Sequence, residues 1–414
     1  MRIAIVGGGV SGLVCADLLR HEHDVRLFEA GTHAGGHANT VRVELPEGTF
    51  DVETGFVVYN ERTYPLFSRL LADLGVATRA TEMSFSVSCA RTGLEYNGGS
   101  LGGLFAQRRN LLRPEFLGMI RDVLRFYREA PELLRLADAK VTLGEWLAGR
   151  GYGEAFVSRH LLPMGAAIWS CEPGQIRDFP ALALFRFFAN HGLLELRDRP
   201  QWRVVEGGSA RYVDRLTARF RERIQLRERV LEVSRGPDAV ELAFSSGARA
   251  RFDRVVFATH SDQALACLRD ATAAERAILS AIRYRPNDVV LHSDDSLLPR
   301  TRRARAAWNF HVPEGANDSA TVSYDMARLQ GLHAPIPLLV TLNRTESIEP
   351  ARILKRFTYH HPVYDRAALE AQSERGSISG VNRSHYCGAY WGYGFHEDGV
   401  RSAHAVAAEL AREG

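Results

Sequence analysis

The sequence predicts an α/β protein in which a doubly wound parallel sheet is joined to a second, mixed α+β domain. Three observations carry this. The chain opens on "MRIAIVGGGVSGLVCADLLRHEHDVRLFEAG", where an apolar run, a glycine turn, a helical stretch, a second apolar run and an acid follow one another closely. It closes on "SHYCGAYWGYGFHEDGVRSAHAVAAELAREG", again strand-like, then glycine-containing, then helical. Between them lie long stretches whose pattern is first helical and then β-rich.

Residues 2–6, "RIAIV", read as a short buried parallel strand. Gly7, Gly9 and Gly12 form G-x-G-x-x-G, with Val10 and Ser11 between the last two. Gly7 permits the tight turn, Gly9 lets a phosphate approach the backbone, and Gly12 lets the helix pack on the strand. The amino terminus of that helix presents free N–H groups and a positive dipole to a pyrophosphate. "DVRLFE" is a second strand ending in Glu29, at the spacing from Gly12 that lets it accept hydrogen bonds from ribose hydroxyls. The acid argues against a 2′-phosphate, which leaves FAD or NAD.

Bulk properties bound the rest. At 414 residues the chain exceeds one usual core, so about two to three domains are expected. A net charge of +3 gives no reason to expect nucleic acid as a partner. Five cysteines, Cys15, Cys89, Cys171, Cys267 and Cys387, form no C-x-x-C pair. A reduced, cytoplasmic protein without a metal site or disulfides is expected. Glycines and Asp17 interrupt the first apolar run, so no signal peptide is read there, and no apolar stretch is long enough to span a bilayer.

The sequence resembles the flavin amine-oxidase superfamily, which includes monoamine and polyamine oxidases, protoporphyrinogen oxidase and carotene desaturases. "GGGVSG", "FEA" (Glu29-Ala30) and "HAGGHANT" carry the match. Gly35, Gly36 and Thr40 keep the family positions, while His33 and His37 stand where arginines are usual. "TGFVVYN" adds Gly55 and Phe56, and "RERVLEVSR" places Val230 at an adenine-flanking strand position. "FDRVVFATH" places Ala258 and Thr259 in a strand-and-loop motif. At the carboxyl end Gly388 matches the glycine after the last strand, and Asp398, Gly399 and Val400 open the last helix. The resemblance implies a GR2-type Rossmann domain binding FAD noncovalently, Cys387 reading as a buried strand end. It also implies that the last helix directs its amino terminus at the flavin.

The FAD domain is then discontinuous, at 1–75, 200–265 and 375–414. Residues 76–199, a mostly helical insert, and 266–374, a β-rich one, make the substrate domain. In "RPEFLGMIRDVLRFYREAPELLRLA", Phe116, Met119, Ile120, Val123 and Tyr127 share a face, with Arg121, Arg125 and Arg128 elsewhere on the wheel. Such a helix can pack on a core with a solvated basic side, or rest on an anionic membrane. Phe185, Phe188, Leu193 and Leu194 either line a long apolar pocket or belong to the core.

A flavin supplies the reactive atom itself, so neither nucleophile triad nor metal is required. Four residues are candidates near it. Lys355 is the lysine in a β-like run; Lys140, the other lysine, falls in a polar turn. His360 adjoins His361, and strand alternation would let at most one face the site. Tyr390 and Trp391 follow the last FAD strand and could stack at the flavin or pack between domains. His396 and Glu397 could meet flavin edges or solvent.

Over nearly its whole length the chain is similar to bacterial NAD/FAD-binding proteins that accompany cyclopropane-fatty-acid-synthase-like methyltransferases. "DVETGFVVYNERTYP", "LPMGAAIWS", "LVTLN", "HPVY" and "YCGAYWGYGFHEDG" carry this. It implies a lipid acyl substrate, methylated or cyclopropane-type, with furan fatty acid synthesis as one setting. A lipid methyltransferase is an implied partner, and peripheral membrane contact an implied location. An amine oxidase and a non-catalytic flavoprotein partner of the methyltransferase are the alternatives.

Overall fold

A computed structural model describes residues 1–136, 141–195, 198–314 and 321–413. Lys140 lies outside the described residues.

The opening run forms the strand Arg2–Val6 at the centre of a five-stranded sheet that is parallel throughout. Across the sheet the order is Ile224–Leu226, Asp24–Glu29, Arg2–Val6, Arg254–Phe257, Ser384–Tyr386. Strand alternation divides the core in two. Ile3 and Ile5 pack under the helices Val10–Leu19 and His396–Leu410, together with Cys15 and Cys387. Ala4 and Val6 face the other way, onto the antiparallel meander Val230–Arg235, Val240–Phe244 and Arg249–Phe252. All these strands fall within 1–75, 200–265 and 375–414.

A buried ion pair ties this half together. Arg235 and Glu275 are almost fully buried, and the guanidinium grips the carboxylate with both terminal nitrogens, Nη2 at 2.8 Å. The Tyr386 hydroxyl donates to the same carboxylate at 2.7 Å. These partners hold the Glu275 carboxyl down at about 2 against the opposing effect of burial. Removing Arg235 leaves the Glu275 carboxylate buried with hydrogen bonds from Tyr386 and Thr272 but without its main counter-charge. Arg235→Ala is therefore expected to cost about 3–5 kcal/mol by urea denaturation; a loss under about 1 kcal/mol would show the pair to be solvated.

The second half is built on a seven-stranded sheet in the order Ile353–Pro362, Tyr284–His292, Leu339–Leu342, Val322–Asp325, Trp308–Val312, Phe85–Cys89, Leu94–Asn97. Its pairings are antiparallel except between Trp308–Val312 and Phe85–Cys89. Two of its strands come from the insert expected to be mostly helical. "FSVSC" alternates too weakly to be read as a strand alone, and its parallel partner Trp308–Val312 belongs to the other insert, far along the chain. The helices between Leu101 and Asn190 cover this sheet and share its core. Phe185 and Phe188 are wholly buried there rather than lining a pocket, whereas their neighbours Phe187 and Leu193 reach the cavity described next.

Candidate active site: a flavin cavity

The glycine turn is built as its spacing demands. Gly7 has φ +108°, and a Cβ there would lie 2.8 Å from the Ala258 carbonyl oxygen. Gly12 sits against the strand, where a Cβ would meet the Gly7 carbonyl oxygen at 2.0 Å. Gly9 differs: a Cβ there would meet nothing within 4 Å. The Glu29 carboxylate is fixed beside the turn, accepting from Gly8 N at 2.7 Å and Gly31 N at 2.6 Å. The second glycine pair docks alongside, with Gly35 N donating to the Gly8 carbonyl at 2.8 Å.

The two ends of the chain meet here. A Cβ on Gly399, in the first turn of the last helix, would lie 2.8 Å from both Ser11 Oγ and Val10 Cγ1. A cavity of about 1050 Å³ runs from this junction into the helical insert. Its walls include Gly7, Gly9, Val10, Ser11, Glu29 and Ala30 from the opening motif. Gly35, Gly36, His37, Gly55 and Phe56 follow, then Val230, Ala258, Thr259 and Gly388.

Five expected contacts do not reach it. Gly12 is consumed by helix–strand packing. Thr40 donates to Glu53 at 2.7 Å and accepts from Ala210 N at 3.0 Å, so it braces a hairpin. Asp398 folds back on its own turn, accepting from Tyr393 N and Phe395 N at 3.1 Å. Gly399 and Val400 pack against the first helix and the core.

The catalytic candidates divide similarly. Lys355 is exposed on the edge strand Ile353–Pro362, its ammonium 5.4 Å from the Phe357 ring, away from the cavity. An edge lysine protects the sheet from further pairing. Trp391 packs beside Tyr390, rings 4.9 Å apart, on the core side of the last motif. Tyr390 and His360 line the cavity. His361 lines it too, contrary to simple strand alternation, because the cavity meets the end of the strand.

One group escapes a reading of the sequence, and a second is foreseen only in its separate members. The first is an aromatic patch where the helical insert meets the last motif. The Phe187 and Phe395 rings stack at 5.1 Å, Phe187 and His191 at 3.8 Å, and Trp169 Nε1 donates to the Tyr393 carbonyl at 3.3 Å. All five line the cavity. The second is a set of histidines near the glycine turn: His37 lies 5.5 Å from His361 and 6.4 Å from His260 between ring centroids. Burial pushes His37 and His260 down to about 4 and His361 to about 3, so these rings are neutral at pH 7. Among the described residues no three such groups come close enough to hold a metal. His396 caps the patch, stacked on Phe56 at 3.5 Å with Nε2 3.0 Å from the Tyr212 hydroxyl. Glu397 turns away, accepting from Leu66 N and Phe67 N.

These residues fit a flavin dinucleotide. The space over Gly9 is open where a diphosphate would pass, and His37 Nε2 is buried beside it with no protein partner. The model of the family described as flavin containing amine oxidoreductase matches residues 10–321. The chain belongs to that family. It is an FAD-dependent oxidoreductase with an FAD-binding and a substrate domain. Among curated proteins, no sequence matches it. Among solved structures, a putrescine oxidase bound to putrescine superposes with a TM-score of 0.70 at 15% identity, over 100% of this chain and 99% of that one. A putative protoporphyrinogen oxidase from Exiguobacterium gives 0.70 at 17% identity, over 100% and 99%. A fatty acid isomerase from P. acnes producing CLA gives 0.68 at 14% identity, over 99% and 98%. The flavoenzyme thus shares its fold with proteins named for amines and for fatty acids.

Proposed function

We propose that this flavoenzyme oxidises the acyl chain of a lipid. The observation that carries the reading is the charge of the cavity wall. Among the described lining residues the carboxylates are Glu29 and Glu228, both at the nucleotide end. No acid among them stands in the substrate arm to meet an ammonium. That arm is instead walled by Met83, Phe85, Leu104, Met119, Ile120 and Val123 among other apolar groups, with the exposed Arg199 contributing to its lining. A long apolar chamber with one cation suits a chain that ends in an anionic group.

When bound, FAD supplies two-electron oxidation, accepting a hydride from a substrate C–H bond. The protein's share is to position that bond. Gly9, Gly36, Glu29 and Val230 hold the nucleotide portion, and Trp169, Phe187, Tyr393 and Phe395 exclude water from the junction of the two domains. His191 Nδ1 bonds the Phe187 carbonyl at 2.9 Å, which leaves Nε2 as an acceptor. Burial pushes this histidine down to about 4. It is therefore neutral at pH 7, a weak base that relays the proton released from the neighbouring carbon to bulk water without keeping it. Loss of hydride and proton from adjacent carbons yields a double bond.

Similarity to the methyltransferase-associated proteins makes a methyl-branched or cyclopropane-type chain the specific form to test, with furan fatty acid synthesis as the setting and a lipid methyltransferase as partner. The fatty acid isomerase with the same fold supports an acyl occupant; the putrescine oxidase supports the competing one. Anaerobic mixing of the FAD-loaded enzyme with such acyl lipids is expected to bleach the flavin absorbance. Bleaching by polyamines but not by lipids would overturn the assignment.

A further inference from the structure

Among the described residues, large apolar side chains stand exposed in a cluster along one stretch of the helical insert: Leu101, Leu111, Leu112, Leu117 and Leu124. Leu101 is 77% and Leu112 87% accessible. They project from three consecutive elements: the short helix Leu101–Leu104, the 3-10 turn Arg108–Leu112 and the long helix Pro114–Leu136. The Phe105 and Phe116 rings, 6.0 Å apart, and the bonds from Phe116 N and Leu117 N to the Arg113 carbonyl hold these elements together. A concentration of exposed leucines in three consecutive elements marks an interaction site.

The same segment carries a net positive charge. Along it seven arginines, Arg108, Arg109, Arg113, Arg121, Arg125, Arg128 and Arg135, stand against four carboxylates, Glu115, Asp122, Glu129 and Glu132. Three of these acids are engaged within the protein: Glu115 with Arg159 at 2.9 Å, the buried Asp122 with Gly153 N at 2.8 Å, and Glu129 with Arg125 at 2.7 Å, which leaves an excess of arginines on this segment. A surface groove runs along the long helix between Leu117, Ile120, Leu124 and the arginines 121, 125 and 128. Ile120 and Leu124 also line the flavin cavity, so groove and cavity are separated by the thickness of a side chain.

We propose that this face rests on an anionic membrane and that an acyl chain passes from the bilayer between the leucines into the cavity. Leucines entering the acyl boundary with arginines at headgroup level are the chemistry of an interfacial surface. A second copy of this chain is a poorer occupant, because it would bring two sets of these arginines together. Nucleic acid would leave the leucines unburied. What enters the cavity rests on the acyl reading above; docking itself does not.

The test is flotation of the full-length, FAD-loaded protein with vesicles of equal parts phosphatidylglycerol and phosphatidylcholine. Binding is expected, at least about tenfold weaker with pure phosphatidylcholine and in about 0.5 M salt. The double variant Leu112→Asp with Leu117→Asp is expected to lose binding about tenfold or more, with flavin absorbance and thermal midpoint unchanged. Vesicle binding that is absent, indifferent to lipid charge, or unaltered in this variant overturns the proposal. So does a concentration-dependent dimer of the free protein abolished by the same substitutions. Flavin bleaching by fatty acids dispersed below their critical micelle concentration, without vesicles, reads the acyl assignment separately. Vesicle binding without bleaching leaves the docking face standing and removes the substrate.

Discussion

A chain with valine at position 9 is expected to fold and to stay colourless. Gly9 has φ −75°, a value open to any residue, and a Cβ there contacts nothing within 4 Å. Neither the backbone angle nor a Cβ therefore resists the substitution. The position nevertheless lies on the cavity wall at the head of the first helix, where the backbone must come within touching distance of a diphosphate. Two methyl groups would occupy that space. Flavin affinity, read by fluorescence quenching, is expected to fall at least about 100-fold, equivalent to about 2.7 kcal/mol. The apoprotein's thermal midpoint should move by no more than a few degrees. The neighbouring glycines cannot make this separation. A side chain on Gly12 collides with the Gly7 carbonyl, and Gly36 combines φ +61° with a Cβ 3.1 Å from Gly9 Cα. Their variants should fail in folding first. Native flavin affinity in Gly9→Val would mean that the diphosphate lies elsewhere.

What the sequence made legible, and what it hid, divides along one physical line. The strand–turn–helix–strand opening, Glu29 at its end and the convergence of the last motif on the first are local patterns with fixed geometric meaning. The side of a strand or helix that meets a cavity is not local. Lys355 sits in a credible β run, but its exposure follows from pairing with Tyr284–His292 at the sheet edge. Phe185 and Phe188 are as apolar as Phe187. Only packing against the rest of the helical insert decides that the first two are core and the third faces the flavin cavity. Motif position assigns Thr40 and Asp398 to the cofactor, yet each satisfies a backbone amide instead: Ala210 N for the first, Tyr393 N and Phe395 N for the second. The aromatic patch has a faint signal in "WGYGF", where Tyr393 and Phe395 alternate; its partners Trp169 and Phe187 come from the helical insert, far upstream in the chain.

Acid should unfold this protein at a higher pH than its carboxylates alone would set. Burial pushes His37, His160, His191, His260, His292 and His311 down to about 4, and His361 and His396 to about 3. In the unfolded chain an imidazole titrates near about 6.5. Between those values the unfolded state binds more protons, so stability is complete above about pH 7 and falls as the pH drops toward 4. By pH 5.5 each fully buried ring contributes a loss of about 1 kcal/mol, and the half-buried ones less. Eight such groups consume a large part of the about 5–15 kcal/mol that holds a folded protein together. Glu53, Glu397 and Asp398, which burial holds above the usual carboxylate range, act in the opposite direction as they protonate and offset part of the loss. The urea midpoint of the apoprotein is expected to fall by more than half between pH 7.5 and pH 5.5, and a flat profile there would show that these rings are not held neutral inside the fold. Saturating FAD should move the fall to lower pH. A ligand bound to the native state alone adds its binding free energy to stability, and the His37 ring, next to the open space over Gly9, would gain a diphosphate anion to hold its proton.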